Sequence, residues 1–279
     1  MTNFAKILLH SAAGLTAAAA TAGLFAFLVA PGRSTEEQRK PFHGQNLAHR
    51  GLHTEDKKIP ENSLPAFIDA AVSGYGSELD VRLTKDGKVV VFHDDTLDRV
   101  CGIPGKVDEM TWEELQKARL CGTDYGIPLF SQVLEMIDGR APLLVELKTC
   151  NHKFELCQKV CDMLQAYDGP ACIESFDPTL VHWFRVHAPH ILRGQLASAP
   201  EILGKGKMYW PALLVGNLLT NFATRPHFIA YGLGRVPLLV KLCHAMKPMK
   251  FVYTTLDASS EAENDVVIFQ FYRPQPKFK

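Results

Sequence analysis

The sequence predicts an α/β fold, a closed (β/α)8 TIM barrel with a small insertion after its second strand, preceded by an N-terminal transmembrane helix. Three observations predict it. Eight short apolar runs alternate with segments whose apolar residues recur at helical spacing. A further apolar run follows the second one across only three residues, Lys85-Asp86-Gly87. The chain also opens with a long stretch that lacks charge.

That stretch runs from Ile7 to Ala30, 24 residues without Asp, Glu, Lys or Arg. About 20 apolar residues suffice to cross a bilayer as a helix. A cleaved signal peptide, the alternative, would have an apolar core of about 7–15 residues before an A-x-A-like site. Here the run is longer and Pro31 follows its last Ala, so residues 1–33 are expected to be an uncleaved, single-pass membrane anchor. Lys6 precedes the span, whereas Arg33, Arg39 and Lys40 follow it, which by the positive-inside rule favours a cytoplasmic domain. Residues 34–45 (STEEQRKPFHGQ) are polar and read as a linker.

The domain is expected over residues 46–279. Its strand candidates are NLAHR (46–50), SELDV (77–81), PLLVELK (142–148), ACIESF (171–176), ILRGQL (191–196), HFIAYG (227–232), KFVYTT (250–255) and VVIFQ (266–270). Between them, Ser63–Ser73, Ser131–Ile137, Phe154–Gln165 and Thr179–His187 have helical periodicity. Parallel neighbours need a crossover of about a dozen residues. The turn at Lys85-Asp86-Gly87 therefore makes KVVVFHDD the second arm of an antiparallel hairpin. Residues from about 82 to 125 are read as an insertion that also holds a helix started by Thr111, with Glu114 completing a capping-box pattern. Such an insertion lies at the C-terminal mouth of a barrel, where functional residues collect. The polar segment LDASSEAEND is short for a last helix, which makes VVIFQ the least secure strand.

Composition narrows the function. A chain of 279 residues with 47% hydrophobic content suits one large domain. Thirty basic residues balance thirty acidic ones, so no global field draws the protein to nucleic acid. Seven cysteines, an odd number without a CxxC pair, suit reduced thiols better than a disulfide framework or a zinc site.

Chemistry gathers in ELD and VELK. Strand side chains alternate faces, so Glu78 and Asp80 share a face, as do Glu146 and Lys148. Carboxylates about 4 Å apart repel by about 4 kcal/mol at an effective dielectric of 20. Three together call for a cation, and oxygen ligands select Ca2+ or Mg2+ rather than zinc. The structural alternative is ion pairing with Arg50, Arg82 and Lys148. His49 and His93 each end a strand candidate at the same mouth, and imidazoles there suit a base and an acid near neutral pH.

The ordered motifs HRG, PENSLPAF (60–67), ELDV, LTKDG, VVFHD and VELK, followed by IESFDP (173–178) and RGQL (193–196), resemble the glycerophosphodiester phosphodiesterase family. The resemblance runs from about Asn46 to Thr255. It implies a TIM barrel with an insertion after strand two and metal-dependent hydrolysis of glycerophosphodiesters to glycerol 3-phosphate and an alcohol. It further implies Glu78, Asp80 and Glu146 as ligands of a divalent ion, and His49 and His93 as the catalytic pair. Arg50, Lys148 and Gln195 would bind phosphate or substrate, with Glu61 and Asn62 near the metal. Tyr253 stands where the family usually has Trp, and would contact the glycerol. The alternatives are a lysophospholipase D-like enzyme acting on membrane lysolipids and an inactive, membrane-tethered binding module.

Overall fold

The structure is a computed structural model that describes residues 3–207 and 209–279, with side chains described from Thr16 onward. Nine strands form one sheet: β1 (Gln45–Ala48), β2 (Gly76–Leu83), β3 (Val89–Val91), β4 (Leu143–Leu147), β5 (Ala171–Ser175), β6 (Leu192–Ala197), β7 (Phe228–Gly232), β8 (Met249–Thr255) and β9 (Val266–Phe269). Eight of them are parallel. β1 pairs with β2 on one side and with β9 on the other, so the sheet closes into a barrel. All eight strand candidates lie in it, VVIFQ included.

β3 stands outside the barrel and pairs antiparallel with β2, with Val81 opposite Val91 and Leu83 opposite Val89. Its turn works because Gly87 takes the left-handed conformation (φ +73°), while Asp86 accepts hydrogen bonds from Thr84 Oγ1 and the Trp112 amide. Thr111 caps the next helix as expected: its amide donates to Glu114 Oε2 at 2.8 Å. That helix is a single turn, Trp112–Leu115. The insertion has its own small core of Val90, Phe92, Leu97, Leu115 and Leu120, all essentially buried.

Two apolar layers hold the barrel. Outward residues of β2, β4 and β5, including Leu79, Val81, Val145, Leu147 and Ile173, meet the helices Leu64–Val72, Phe130–Ile137, Lys153–Gln165 and Pro178–His187. Burying one such side chain stabilises the fold by about 1.5–3 kcal/mol. Inside, Leu47, Leu144, Leu192, Phe228 and Phe251 fill the lower barrel, and Phe228 stacks on Phe251 with ring centroids 4.0 Å apart. Gly194 makes room for this: a Cβ there would come within 1.9 Å of the Phe228 ring. β8 and β9 are joined by a 3-10 turn, Ala258–Glu263, in place of a last helix. All seven cysteines are free, and four are buried.

The amino-terminal segment is described only in part. Asn3–Val29 is one helix, and the first part of the proposed span, up to residue 15, lies outside the described side chains. Among the described residues no helix is long and apolar enough to cross a membrane. The end of the helix packs on the domain. Val29 is fully buried against Ile229, Val240 and Cys243, and Arg225 Nη1 donates to the carbonyls of Phe27 and Ala30 at 2.9 Å each. Asn221 Nδ2 donates to the Val29 carbonyl. Nor is 34–45 a free linker. Gln38 Nε2 donates to the His190 carbonyl, and Phe42, 2% exposed, closes the lower end of the barrel.

Candidate active site

The parallel strands aim their C-terminal ends at a cavity of about 340 Å³. A larger, almost wholly apolar depression lies at the helices Lys153–Gln165 and Pro178–His187, but its His182 and His187 are tied to backbone carbonyls and no charged side chain lines it. The smaller cavity is therefore the candidate site.

Glu78, Asp80 and Glu146 come together there, with ligand oxygens within 4.8 Å of one another and all three residues buried. The strand register dictates this, since Asp80 lies directly opposite Glu146. Two cations are interleaved, as the ion-pair alternative foresaw. Lys148 Nζ lies 2.8 Å from Asp80 Oδ1 and 2.6 Å from Glu146 Oε1, while Arg50 Nε is 3.4 Å from Asp80 Oδ2. Asp80 receives both. Burial pushes its carboxyl up, but Lys148 and Arg50 outweigh that and hold it well below the usual carboxylate range. Glu78 receives only the Arg50 amide, at 2.9 Å. Burial and then the charges of Asp80 and Glu146 raise it well above 4.5. Burial likewise lifts Glu146 to about 7. Three carboxylates against two cations leave a deficit of positive charge, and the all-oxygen donor set fits a hard divalent ion.

Arg50 is fixed by more than its charge. It sits in the left-handed region (φ 54°), as does Asn62 (φ 56°). The Asn62 amide donates to the Arg50 carbonyl at 2.9 Å, and Asn62 Nδ2 donates to Asp80 Oδ2 at 2.8 Å. Glu61 accepts from Arg50 Nη1 at 2.7 Å and from Arg99 of the insertion. Glu61 and Asn62 thus surround the acidic trio without joining it.

Both histidines reach the cavity. His49 Nδ1 lies 2.6 Å from Gln270 Oε1, which can only accept, so Nδ1 carries the proton and Nε2 keeps a lone pair. Nε2 lies 3.9 Å from Glu78 Oε2. Burial, helped by the Arg50 charge, lowers the His49 pKa to about 3, so the ring is neutral. His93 Nδ1 lies 2.5 Å from Asp94 Oδ1, and Asp94 is held in turn by Arg99. Arg82 is not a partner of the trio. Its Nε and Nη2 donate to the His93 carbonyl at 3.0 and 2.7 Å, anchoring the insertion to β2. Burial also lowers the His93 pKa, against the pull of Asp80.

Tyr253 lines the cavity edge-on to Phe176, with centroids 6.2 Å apart. Its hydroxyl contacts Ser198 Oγ and the Ala197 carbonyl. Gln195 is not brought to the cavity. In β6 the inward-facing residues are Leu192, Gly194 and Leu196; Gln195 is fully buried and donates to the carbonyls of Ser175, Phe176 and Leu196. Sequence reasoning missed Gln270, Asp94, Arg99 and Glu174. Asp94 was signalled by its position next to His93, and Glu174 by sharing a strand face with Phe176.

Residues 49–269 match the model of the glycerophosphoryl diester phosphodiesterase family. A glycerophosphodiester phosphodiesterase of Bacillus altitudinis is 33% identical over 157 residues, covering 52% of this chain and 63% of that one. A lysophospholipase D of Rattus norvegicus is 32% identical over 156 residues, covering 51% of this chain and 48% of its own length. The chain thus spans less than two thirds of these relatives. Among solved structures, an Oleispira antarctica phosphodiesterase in complex with the product sn-glycerol-3-phosphate superposes with a TM-score of 0.66 at 24% identity, covering 82% of this chain and 94% of the other. The glycerophosphodiester phosphodiesterase of Thermotoga maritima gives 0.62 at 26% identity, covering 81% and 94%.

Proposed function

The chain belongs to the glycerophosphoryl diester phosphodiesterase family, and from that membership we propose that it hydrolyses glycerophosphodiesters to glycerol 3-phosphate and an alcohol. The observation that carries the reading is the convergence of Glu78, Asp80 and Glu146 with Arg50, Lys148 and two imidazoles in one cavity. The three carboxylates would hold a divalent ion, Ca2+ or Mg2+, which when bound supplies charge neutralisation at the phosphoryl oxygens. Arg50 and Lys148 bind the same anionic group from the side.

His49 acts as the base. Its Nε2 lone pair takes the proton of the attacking hydroxyl as the new O–P bond forms; that hydroxyl is water, or the substrate's own glycerol hydroxyl, which gives a cyclic phosphate that a water then opens to glycerol 3-phosphate. The P–O bond to the alcohol breaks, and His93 Nε2 gives a proton to the departing oxygen. The incoming diester adds negative charge beside His93, which raises its proton affinity. Asp94 and Arg99 hold the ring at its angle, and the Tyr253 ring flanks the glycerol. The lysophospholipase D-like reading is supported by the resemblance to the rat protein of that name. A panel of glycerophosphocholine, glycerophosphoethanolamine and lysophosphatidylcholine, with and without EDTA, tests both. Metal-dependent release of glycerol 3-phosphate supports the first reading; lysophosphatidic acid from the lysolipid supports the second. No metal-dependent release of either product would sink the proposal.

A further inference from the structure

We propose that Glu174 reads the glycerol end of the substrate by hydrogen bonding to a glycerol hydroxyl, a role that rests on the diesterase reading above. Glu174 lies on β5 directly opposite Glu146 on β4, and opposite Gly194 on β6, which offers no side chain. It is 1% exposed, lines the same cavity, and its Oε2 is shut off from the surface without a hydrogen-bond partner. A buried carboxyl left unpaired costs stability that an apolar side chain would not. Nothing in the packing calls for an acid here, whereas a ligand would.

Glu174 is not one of the oxygens that cluster within 4.8 Å to hold a metal; those come from Glu78, Asp80 and Glu146. Nor does it suit the phosphoryl group. Its neighbours Glu146 and Glu78 are acidic and would repel a phosphate placed beside it. On the side of Glu174 away from the acidic trio, the cavity lining includes the rings of Phe176 and Tyr253 and the side chain of Leu196. The Tyr253 hydroxyl is already occupied by Ser198 and Ala197. A carboxyl beside apolar and aromatic lining fits a short carbon chain bearing hydroxyls.

The test compares three diesters under saturating metal: glycerophosphocholine, glycerol p-nitrophenyl phosphate and ethyl p-nitrophenyl phosphate. The last two share a leaving group and differ in the glycerol hydroxyls. Wild type should prefer the glycerol ester over the ethyl ester in kcat/KM, because a site built to bond a hydroxyl discriminates against its absence. Glu174→Leu should lower that ratio by about tenfold or more, the effect of losing one buried hydrogen bond. Glu174→Gln, which still bonds hydroxyls, should restore most of it. The proposal is overturned if wild type shows no such preference, or if Glu174→Leu slows all three diesters equally. It is also overturned if that variant loses only glycerophosphocholine, which would assign Glu174 to the head group, or if Glu174→Gln lowers calorimetric metal affinity as Glu78→Gln does. Wild type that cleaves none of the three refutes the diesterase reading and this proposal with it.

Discussion

Glu78→Gln separates the electrostatic strain of the acidic trio from its use. Two ionised carboxylates whose oxygens lie within 4.8 Å of each other repel by at least about 3 kcal/mol at an effective dielectric of 20. Burial and the charges of Asp80 and Glu146 lift the Glu78 pKa, so the protonated form relieves this repulsion where pH lies below the raised value. A carboxyl whose folded-state pKa lies above its unfolded value of 4.5 contributes stability that is complete below 4.5 and lost as pH rises through the folded value. The amide mimics the protonated acid at every pH and can still accept from the Arg50 amide. In EDTA the two proteins should therefore melt together at pH 5, and the variant should melt higher at pH 9. One kcal/mol moves Tm by about 2–4 °C at this size, so full relief of about 3 kcal/mol corresponds to a gain of about 6–12 °C. Metal acts in the opposite sense: at a hundred times Kd it stabilises wild type by about 2.7 kcal/mol, or about 5–10 °C, and the variant by less than half of that. Scanning calorimetry at pH 5, 7 and 9, with EDTA, Ca2+ or Mg2+, measures each quantity. Equal metal shifts in both proteins, or a Tm difference that does not grow with pH, would refute the reasoning.

His93→Ala should lower kcat by about 10²–10⁴-fold on glycerophosphocholine, and by much less on a p-nitrophenyl ester, whose leaving group needs no proton. His49→Ala should stay impaired on both, and equal recovery of the two variants would undo the assignment of acid and base. Gln195→Ala should cost about 2 kcal/mol of stability, because its two amide N–H donors are shared among three backbone carbonyls at about 1 kcal/mol per donor. KM should stay within about twofold, and a tenfold rise would return Gln195 to the cavity. Removing residues 1–23 should leave Tm unchanged, whereas removing 1–33 strips out the buried Val29 and should cost about 2–4 kcal/mol. Identical melting of the two truncations would show that the docked helix end contributes nothing.

The sequence by itself determined the order of elements and most of the chemistry, because both are local. A period of two against a period of 3.6 distinguishes strand from helix within a dozen residues, and Lys85-Asp86-Gly87 is too short for a parallel crossover. The ELD and VELK patterns place two carboxylates on one face and an acid with a lysine on another, and closure of the barrel brings them together. What only the tertiary structure decided depends on faces and on distance. Every residue of β6 is buried, as parallel strands covered on both sides are, so alternation alone could not say whether Gln195 or Gly194 points inward. Register decided that, and the same register set Glu174 beside Glu146. Gln270 meets His49 across 221 positions, and Arg99 meets Glu61 across 38; neither pairing has a local signature. The end of the uncharged run is the last case. Hydropathy reports that a segment avoids water, not what it meets instead, and at Val29 the structure answers with the flank of the barrel.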